Sequence, residues 1–166
     1  TTLFRSDSVG AAATWMIKDS DHLYDTPGLR KVDGKYWLVY HSYPSVGYEE
    51  GAAMIGLAWT EDEELLDWHR LEKPVFSWEN GEDWERGGLY KACIINYEET
   101  WYMFYNAKNR ESRWVEQTGM ASSKDLFHWE RCRRNPLLKV TPGKWDGRFL
   151  SDPCIVWDKG VWLNFF

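Results

Sequence analysis

Short apolar runs, separated by polar turns, make up most of this chain. The runs 36–40, 92–97, 101–105 and 154–157 are rich in aromatic and β-branched residues, and Asp-Gly or Glu-Glu turns lie beside the first three. Val32-Asp33-Gly34-Lys35 has the composition of a tight hairpin turn. No segment sustains the helical period of about 3.6 residues over the length that a bundle would need. The pattern predicts an all-β fold made of hairpins.

The pattern also repeats along the chain. WERGGLYKACIINYEETWYMFY starts at Trp84, and WDGRFLSDPCIVWDKGVWLNFF starts at Trp145. Aligning them pairs Cys93 with Cys154, and a weaker copy, TPGLRKVDGKYWLVYH, starts at Thr26. A second repeated segment begins with GLAWTEDEELLDWHRL in one copy and GMASSKDLFHWERC in the other. Repetition at this period indicates one supersecondary unit used several times.

Each unit is predicted to hold four antiparallel strands, the composition of a β-propeller blade. We expect a single partial propeller domain over residues 1–166, with blade-like repeats at about 22–76 and 84–140 and an incomplete one at 145–166. Closed propellers have about 4–8 blades. The ring is therefore expected to be completed either by the remainder of a longer chain or by identical chains in a homo-oligomer.

Composition supports sheets packed through aromatic rings. The chain has 12 Trp, nine Tyr and seven Phe, and such rings can fill the wedges between twisted sheets. Most of these rings are therefore expected in the core rather than at a ligand. Cys93 and Cys154 occupy equivalent repeat positions, which predicts small buried side chains on neighbouring inner strands.

Charge and residue spacing exclude several classes of function. A net charge of −6 and a pI near 5.2 argue against nucleic-acid binding, and no apolar run is long enough to span a membrane. Three Cys do not form a disulfide framework, and the four His lack the spacing of a zinc site. We therefore predict neither a metal nor another cofactor. Location in the cytoplasm or outside the cell stays open.

Candidate chemistry lies where the inner strands are predicted to begin. The matching segments are 24–27, 89–92 and 150–153, which contain Asp25, Lys91 and Asp152. Both acids lie close to a Pro, which restricts the backbone and would aim a carboxylate. Asp near Pro is also common in ordinary turns, so both interpretations stay open for each acid.

The motifs resemble a known group of enzymes. Gly119-Met120-Ala121-Ser122-Ser123-Lys124-Asp125-Leu126-Phe127-His128-Trp129, preceded by an apolar run, a polar turn and an aromatic strand, resembles the five-bladed propeller glycosidases. These include arabinanase/xylosidase-like, invertase-like and mannoside-phosphorylase-like proteins. The resemblance begins near His22. The copy at Gly56 departs from the pattern in its acidic turn.

The resemblance implies hydrolysis or phosphorolysis of glycosidic bonds by carboxylates in the axial pocket. A general acid protonates the leaving oxygen, and a second carboxylate activates water or attacks directly. Asp25 matches the base or nucleophile, and Asp152 matches an acid on a later inner strand. Glu85 is the predicted general acid, with Glu79 and Glu82 as rivals. Because Glu85 aligns with Asp146, a structural role for it is the alternative.

A carbohydrate substrate is the expected partner. Trp78 has no counterpart in the repeat, which favours stacking on a sugar, whereas Trp84 and Trp145 are repeated and are expected to pack between blades. His41, Asn106 and Lys91 are further candidates for substrate binding. Arg110, Arg113 and Trp114 belong to a charged loop long enough to cover a pocket. The alternative function is a non-catalytic module for carbohydrate binding or assembly.

Overall fold

Strands dominate the computed structural model, which describes residues 9–46 and 51–166. There are also two single-turn 3-10 helices, Trp78–Asn80 and Asp83–Glu85. None of the helices in the described ranges could cross a membrane. The strands are β1 (Gly10–Met16), β2 (Tyr36–Tyr43), β3 (Ile55–Thr60), β4 (His69–Arg70), β5 (Gly88–Tyr97), β6 (Thr100–Lys108), β7 (Glu116–Ser123), β8 (Glu130–Arg131), β9 (Cys154–Asp158) and β10 (Val161–Phe165).

The strands form three antiparallel sheets in sequence order. The first sheet is β1-β2-β3-β4, the second is β5-β6-β7-β8, and the third is the hairpin β9-β10. Two four-stranded meanders followed by a further hairpin give the repeat of a partial propeller. The predicted all-β fold and its four-stranded units are confirmed.

The first sheet begins earlier than the sequence repeat indicated. Its inner strand is β1, from Gly10, whereas the repeat placed it after Asp25, in a unit starting near residue 22. Residues 17–35 instead form an excursion between β1 and β2, with the predicted turn at its end, where Asp33 and Gly34 have φ of 52° and 76°. Sequence comparison missed β1 because its segment GAAATWM is mostly small residues, unlike the inner strand of the second copy.

Sheets pack face to face through a shared core. The first and second sheets enclose buried residues that include Trp37, Ile55, Ile94 and Met103. A smaller cluster of Cys93, Ile95 and Ile155 joins the second and third sheets. Cys93 and Cys154 lie at matching positions on β5 and β9, opposite Phe104 and Phe165. Trp84 packs against this core as predicted, whereas Trp145, which was also expected between blades, is 88% exposed.

A glycine within each small-residue strand leaves room for an aromatic ring from the neighbouring strand. Gly119 lies opposite Tyr105, and Gly56 lies opposite Tyr40. A Cβ on Gly119 would lie only 2.6 Å from the Tyr105 ring and 2.7 Å from Trp84. The repeated Gly is thus required by packing.

The motif that carries the family resemblance builds a turn. The Ser123 hydroxyl oxygen accepts from the backbone N–H of Asp125, whose carboxylate accepts from the N–H groups of Phe127 and His128. In the first sheet, Thr60 and Asp62 make equivalent bonds. The departure in the acidic turn of the first copy therefore leaves the turn intact. These residues belong to the scaffold.

Candidate functional site

The beginnings of the inner strands lie at one end of the sheets, here called the site end. Registers place Gly10 opposite Tyr43 and Gly88 opposite Lys108, which in turn lies opposite Glu116. Each polar residue near these positions therefore faces the same end of the partial propeller. The opposite end, here called the turn end, carries the hairpin turns that follow β5 and β9.

Lys91 and Asp152 form an ion pair at the site end. The Lys91 Nζ lies 2.8 Å from Asp152 Oδ1, and the Asp152 side chain is 56% exposed. Both residues occupy the same repeat position and have positive φ, 47° and 63°. Left-handed backbone at a non-glycine residue costs energy and is concentrated at functional sites. The pair therefore presents a carboxylate to solvent in a fixed orientation.

His41 supports Lys91 from the neighbouring sheet. Its buried ring accepts a hydrogen bond at Nδ1 from the backbone N–H of Lys91, at 3.3 Å. Nε2 lies 2.8 Å from the Tyr43 hydroxyl, so the neutral ring carries its proton on Nε2. Burial, and then the positive charge of Lys91, lower the pKa of His41 to about 4. His41 is therefore a neutral support at physiological pH.

A second polar group at the site end contains Asn106 and Glu116. The Asn106 amide donates to Glu116 Oε2 at 2.8 Å, and the Trp114 indole N–H donates to Oε1 at 3.1 Å. Asn106 Oδ1 is buried and has no hydrogen-bond partner among the described residues. Glu116 is itself buried, so its carboxylate orients Asn106 and Trp114.

A backbone contact links Glu116 to the segment that carries Asp152, just before β9. The N–H of Leu150 donates to the carbonyl of Glu116 at 2.9 Å, two residues before Asp152. On the other side, the His41 ring lies against Tyr90, which is opposite Asn106. The site end thus brings together His41, Lys91, Asn106 and Asp152, all of which the sequence predicted, and it adds Glu116.

Asp25 lies at the turn end instead. It belongs to the excursion 17–35, in which Leu23 N–H donates to the Trp157 carbonyl and Arg30 donates to the Asn96 side chain. Asp25 itself accepts a 2.5 Å hydrogen bond from Ser20. The structure therefore does not bring Asp25 to Asp152, because β1 rather than the segment after Asp25 is the inner strand.

Glu85 is enclosed between the first and second sheets. Its side chain is fully buried and accepts hydrogen bonds from Arg131 Nε at 2.6 Å and the Tyr105 hydroxyl at 3.0 Å. It also caps the helix Asp83–Glu85 through the N–H of Glu82. A carboxylate with no exposure and both oxygens bonded cannot reach a substrate. This geometry favours the structural alternative for Glu85 over the predicted role as general acid.

Trp78 lies behind a cleft rather than on an open platform. Its indole N–H donates to the Ala52 carbonyl, and the Arg110 guanidinium covers the ring at 4.7 Å from its centroid. The cleft has a volume of about 480 Å³ and is lined by Arg110, Lys108 and Trp114 among others. The rival acids Glu79 and Glu82 are not buried.

The sequence prediction contained no metal site. Within residues 9–46 and 51–166, no group of three or more His, Cys, Asp or Glu side chains could hold a metal ion. The three cysteines are free. Burial raises the pKa of the Cys93 thiol to about 12, so this thiol is unreactive at neutral pH.

Comparison with known families identifies the architecture. Residues 18–165 match the family described as the glycosyl hydrolases family 32 N-terminal domain. The chain belongs to this family. The match covers nearly all of the described sheets and agrees with the resemblance seen in the sequence motifs. A search of curated protein sequences found no match.

Solved structures share the fold of this chain. The protein in a BT0996 RGII complex is 26% identical, with a TM-score of 0.74, and the match covers 89% of this chain and 44% of that protein. Sucrose-6-phosphate hydrolase from Lactobacillus gasseri is 17% identical, with a TM-score of 0.62 and coverages of 90% and 27%. Fructan 1-exohydrolase IIa from Cichorium intybus is 20% identical, with a TM-score of 0.53 and coverages of 82% and 24%. The family 32 chain thus spans less than half of these relatives.

Glu116 is the residue that sequence reasoning missed. It lies at the start of β7, in the position that Ala53 occupies in the first sheet. When the two copies are aligned, the first has Ala53 where the second has Glu116. This change from a small residue to an acid was the signal that could have identified Glu116. Glu116 lies outside the segments that precede the inner strands, in a stretch where the sequence predicted only a covering loop.

Proposed function

We propose that this chain forms part of a glycoside hydrolase that cleaves glycosidic bonds of an oligo- or polysaccharide, with Asp152 as the carboxylate that acts on the substrate. The single observation that carries this proposal is the exposed Asp152 carboxylate, held by Lys91 at the site end. Membership of the family 32 group supports the reaction class. A glycosidase needs a carboxylate fixed beside the scissile bond, either to activate water or to attack the sugar.

The neighbouring residues fit supporting roles in this chemistry. The Lys91 ammonium, 2.8 Å from Asp152 Oδ1, opposes rotation of the Asp152 side chain. Asn106, which is buried and oriented by Glu116, lies close to the same end of the sheets. Glycosidases also require a general acid. Since Glu85 is enclosed, its rivals Glu79 and Glu82, which are both exposed, are the candidates for that step.

The test is a panel of aryl glycosides and plant oligosaccharides, assayed with and without inorganic phosphate to separate hydrolysis from phosphorolysis. Asp152→Asn should reduce turnover at least about 100-fold, while Asp25→Asn, at the turn end, should retain it. Circular dichroism would verify that both variants fold. If Asp25→Asn is inactive and Asp152→Asn is active, the proposed site is wrong.

A second candidate function is carbohydrate binding without cleavage. The observation that favours it is that the three predicted acids do not meet: Asp25 is at the turn end and Glu85 is buried. Saturable binding of an oligosaccharide, with no product after prolonged incubation, would support this function over hydrolysis. Release of reducing sugar would exclude it.

We also propose that the third sheet is completed by further strands, supplied by the same polypeptide or by a second copy. The β9-β10 hairpin has two strands where the other sheets have four. Val161, Phe165 and Phe166 are all more than half exposed on it, an arrangement that favours association. Sedimentation of the purified 166-residue chain tests whether a second copy supplies these strands. A monomer at all concentrations would exclude the homo-oligomer.

A further inference from the structure

Another cavity lies at the turn end, between the excursion 17–35, the end of β5 and the β9-β10 hairpin. Its volume is about 310 Å³, at the lower end of the range of about 300–1,000 Å³ that small-molecule pockets occupy. None of the residues that line it belongs to the group around Asp152 at the site end. The cavity therefore has room for one small ligand, separate from the proposed catalytic carboxylate.

Three aromatic rings, here called the aromatic wall, form one side of this cavity: Tyr97, Trp157 and Trp162. The Tyr97 ring centroid lies 6.1 Å from that of Trp157 and 5.6 Å from that of Trp162, and the two indoles are 4.9 Å apart. Tyr97 is 40% exposed. Within the described ranges neither indole N–H has an acceptor, and neither is enclosed. The wall thus offers an apolar surface and two N–H donors that reach solvent.

Main-chain hydrogen bonds hold the excursion against the aromatic wall. The backbone N–H of Trp157 donates to the Asp21 carbonyl at 2.7 Å, and the N–H of Leu23 donates back to the Trp157 carbonyl at 2.9 Å. The His22 ring meets the Trp157 ring edge-on, with centroids 6.4 Å apart. The two sides of the cavity are therefore fixed before any ligand binds, which lowers the entropy cost of binding.

Charges around the cavity are balanced. Lys18 and Arg30 supply two cations, and Asp19 and Asp21 supply two carboxylates. Lys18 Nζ lies 3.4 Å from Asp21 Oδ1, so these two compensate each other. With His22 neutral, the lining has no net charge. Because a site attracts ions through an excess of the opposite charge, this cavity favours neither an anionic nor a cationic ligand.

Arg30 and Asp19 keep hydrogen-bonding capacity at the cavity. Arg30 Nη1 donates to Asn96 Oδ1 at 3.1 Å, and the guanidinium lies 5.2 Å from the Trp101 ring centroid. Asp19 Oδ1 accepts from the Gly28 N–H at 2.8 Å. In the part of the chain that the structure describes, Arg30 Nε and Nη2 donate no hydrogen bond and Asp19 Oδ2 accepts none. Oriented donors and an oriented acceptor thus remain for a ligand.

We propose that this cavity binds a neutral sugar residue and forms a second carbohydrate site, at the opposite end of the sheets from Asp152. One face of a sugar ring carries C–H groups, which fit the aromatic wall. Its hydroxyl groups both donate and accept, which fits Asp19 Oδ2 together with the Arg30 and indole N–H groups. An apolar lining with a few placed polar groups is the usual composition of a small-molecule site. This site would hold a glycan whether or not Asp152 cleaves it.

Binding measured without turnover tests the site. The purified protein is titrated with four neutral trisaccharides: xylotriose, mannotriose, cellotriose and arabinotriose. NMR follows the indole N–H signals of Trp157 and Trp162, which are assigned from Trp157→Phe and Trp162→Phe. We expect at least one trisaccharide to shift both signals saturably. Its Kd should change less than about 2-fold between low and high salt, because a neutral ligand in a balanced cavity is not screened.

Matched variants identify the residues involved. Tyr97→Ala and Arg30→Gln should each raise the Kd about 10-fold, because they remove a ring of the wall and a charged donor. Tyr24→Ala removes an exposed tyrosine of the same excursion that does not line the cavity, and it should leave the Kd unchanged. Asp152→Asn should do the same. Circular dichroism would verify that all four variants fold.

Three results would overturn the proposal. One is that none of the four trisaccharides shifts the Trp157 and Trp162 signals. Another is an equal loss of affinity in Tyr24→Ala and Tyr97→Ala. The third is binding that disappears in Asp152→Asn and persists in Tyr97→Ala, which would place the sugar at the site end. These titrations do not depend on cleavage, so their failure is distinct from a failure of the Asp152 hydrolysis test.

Discussion

Lys91 on β5 and Asp152, two residues before β9, occupy the same repeat position, and their side chains pair across 2.8 Å. The sequence presented the two residues as alternatives, a cation in one copy and an acid in the next. The fold makes them partners, because adjacent blades bring equivalent positions side by side around the channel. The two positions that differ between the repeats therefore form an ion pair in the folded protein.

Breaking this pair should impair chemistry more than binding. Lys91→Met removes the cation that orients Asp152, and a misplaced catalytic group can cost on the order of 100-fold in rate. We expect kcat to fall by about 10–100-fold with a smaller change in KM, and Lys91→Arg to recover part of the rate. Steady-state kinetics over a range of pH values measures this effect. An unchanged kcat in Lys91→Met would refute the positioning role.

Glu85 should matter for stability. Glu85→Ala leaves the partly buried Arg131 without its carboxylate and the Tyr105 hydroxyl without its acceptor. Removing one member of a buried ion pair costs about 3–5 kcal/mol, to be measured by urea unfolding. Glu79→Ala, at an exposed acid nearby, should cost less than about 1 kcal/mol. A folded Glu85→Ala with unchanged stability and no activity would instead restore Glu85 as a catalytic acid.

The protein should lose stability in mild acid through His41. Its pKa is about 4 in the folded state, against an ordinary value of 6.5, so the unfolded chain binds more protons between these values. The stability contribution is full above pH 6.5 and is lost as the pH falls towards 4, by on the order of 3 kcal/mol. The free energy of unfolding, measured between pH 6.5 and 4, should fall more steeply for the native chain than for His41→Gln. His69→Gln, at an exposed site, should keep the native pH slope; equal slopes in all three would disprove the assignment.

Gly119 should tolerate no side chain. A methyl group there would collide with Tyr105 and Trp84, and overpacking of this kind costs about 1–3 kcal/mol. The urea midpoint of Gly119→Ala should therefore fall. Gly10→Ala, where the nearest atom would be a ring carbon of Tyr43 at 3.8 Å, is the matched control. Similar midpoints for the two variants would contradict the packing argument.

The local pattern determined the elements of this protein. Alternating apolar strands, the Asp33-Gly34 turn and the Ser123–Asp125 motif each depend on bonds between near neighbours, so the sequence predicted the four-stranded units and the family. The equivalence of Cys93 and Cys154 also followed from the repeat. The strand β1 was missed because its small side chains carry little of that pattern.

The site depended on contacts between residues far apart in sequence. Whether an acid is exposed at the site end, as Asp152 is, or enclosed with Arg131, as Glu85 is, follows from how the sheets stack. Asp25 matched the repeat yet lies at the turn end, because the position of an inner strand is set by its partners across the sheet. The sequence by itself thus determined the blades and the group of residues from which a site can be drawn. Only the tertiary structure decided which charges meet, since burial and pairing are properties of the packed sheets.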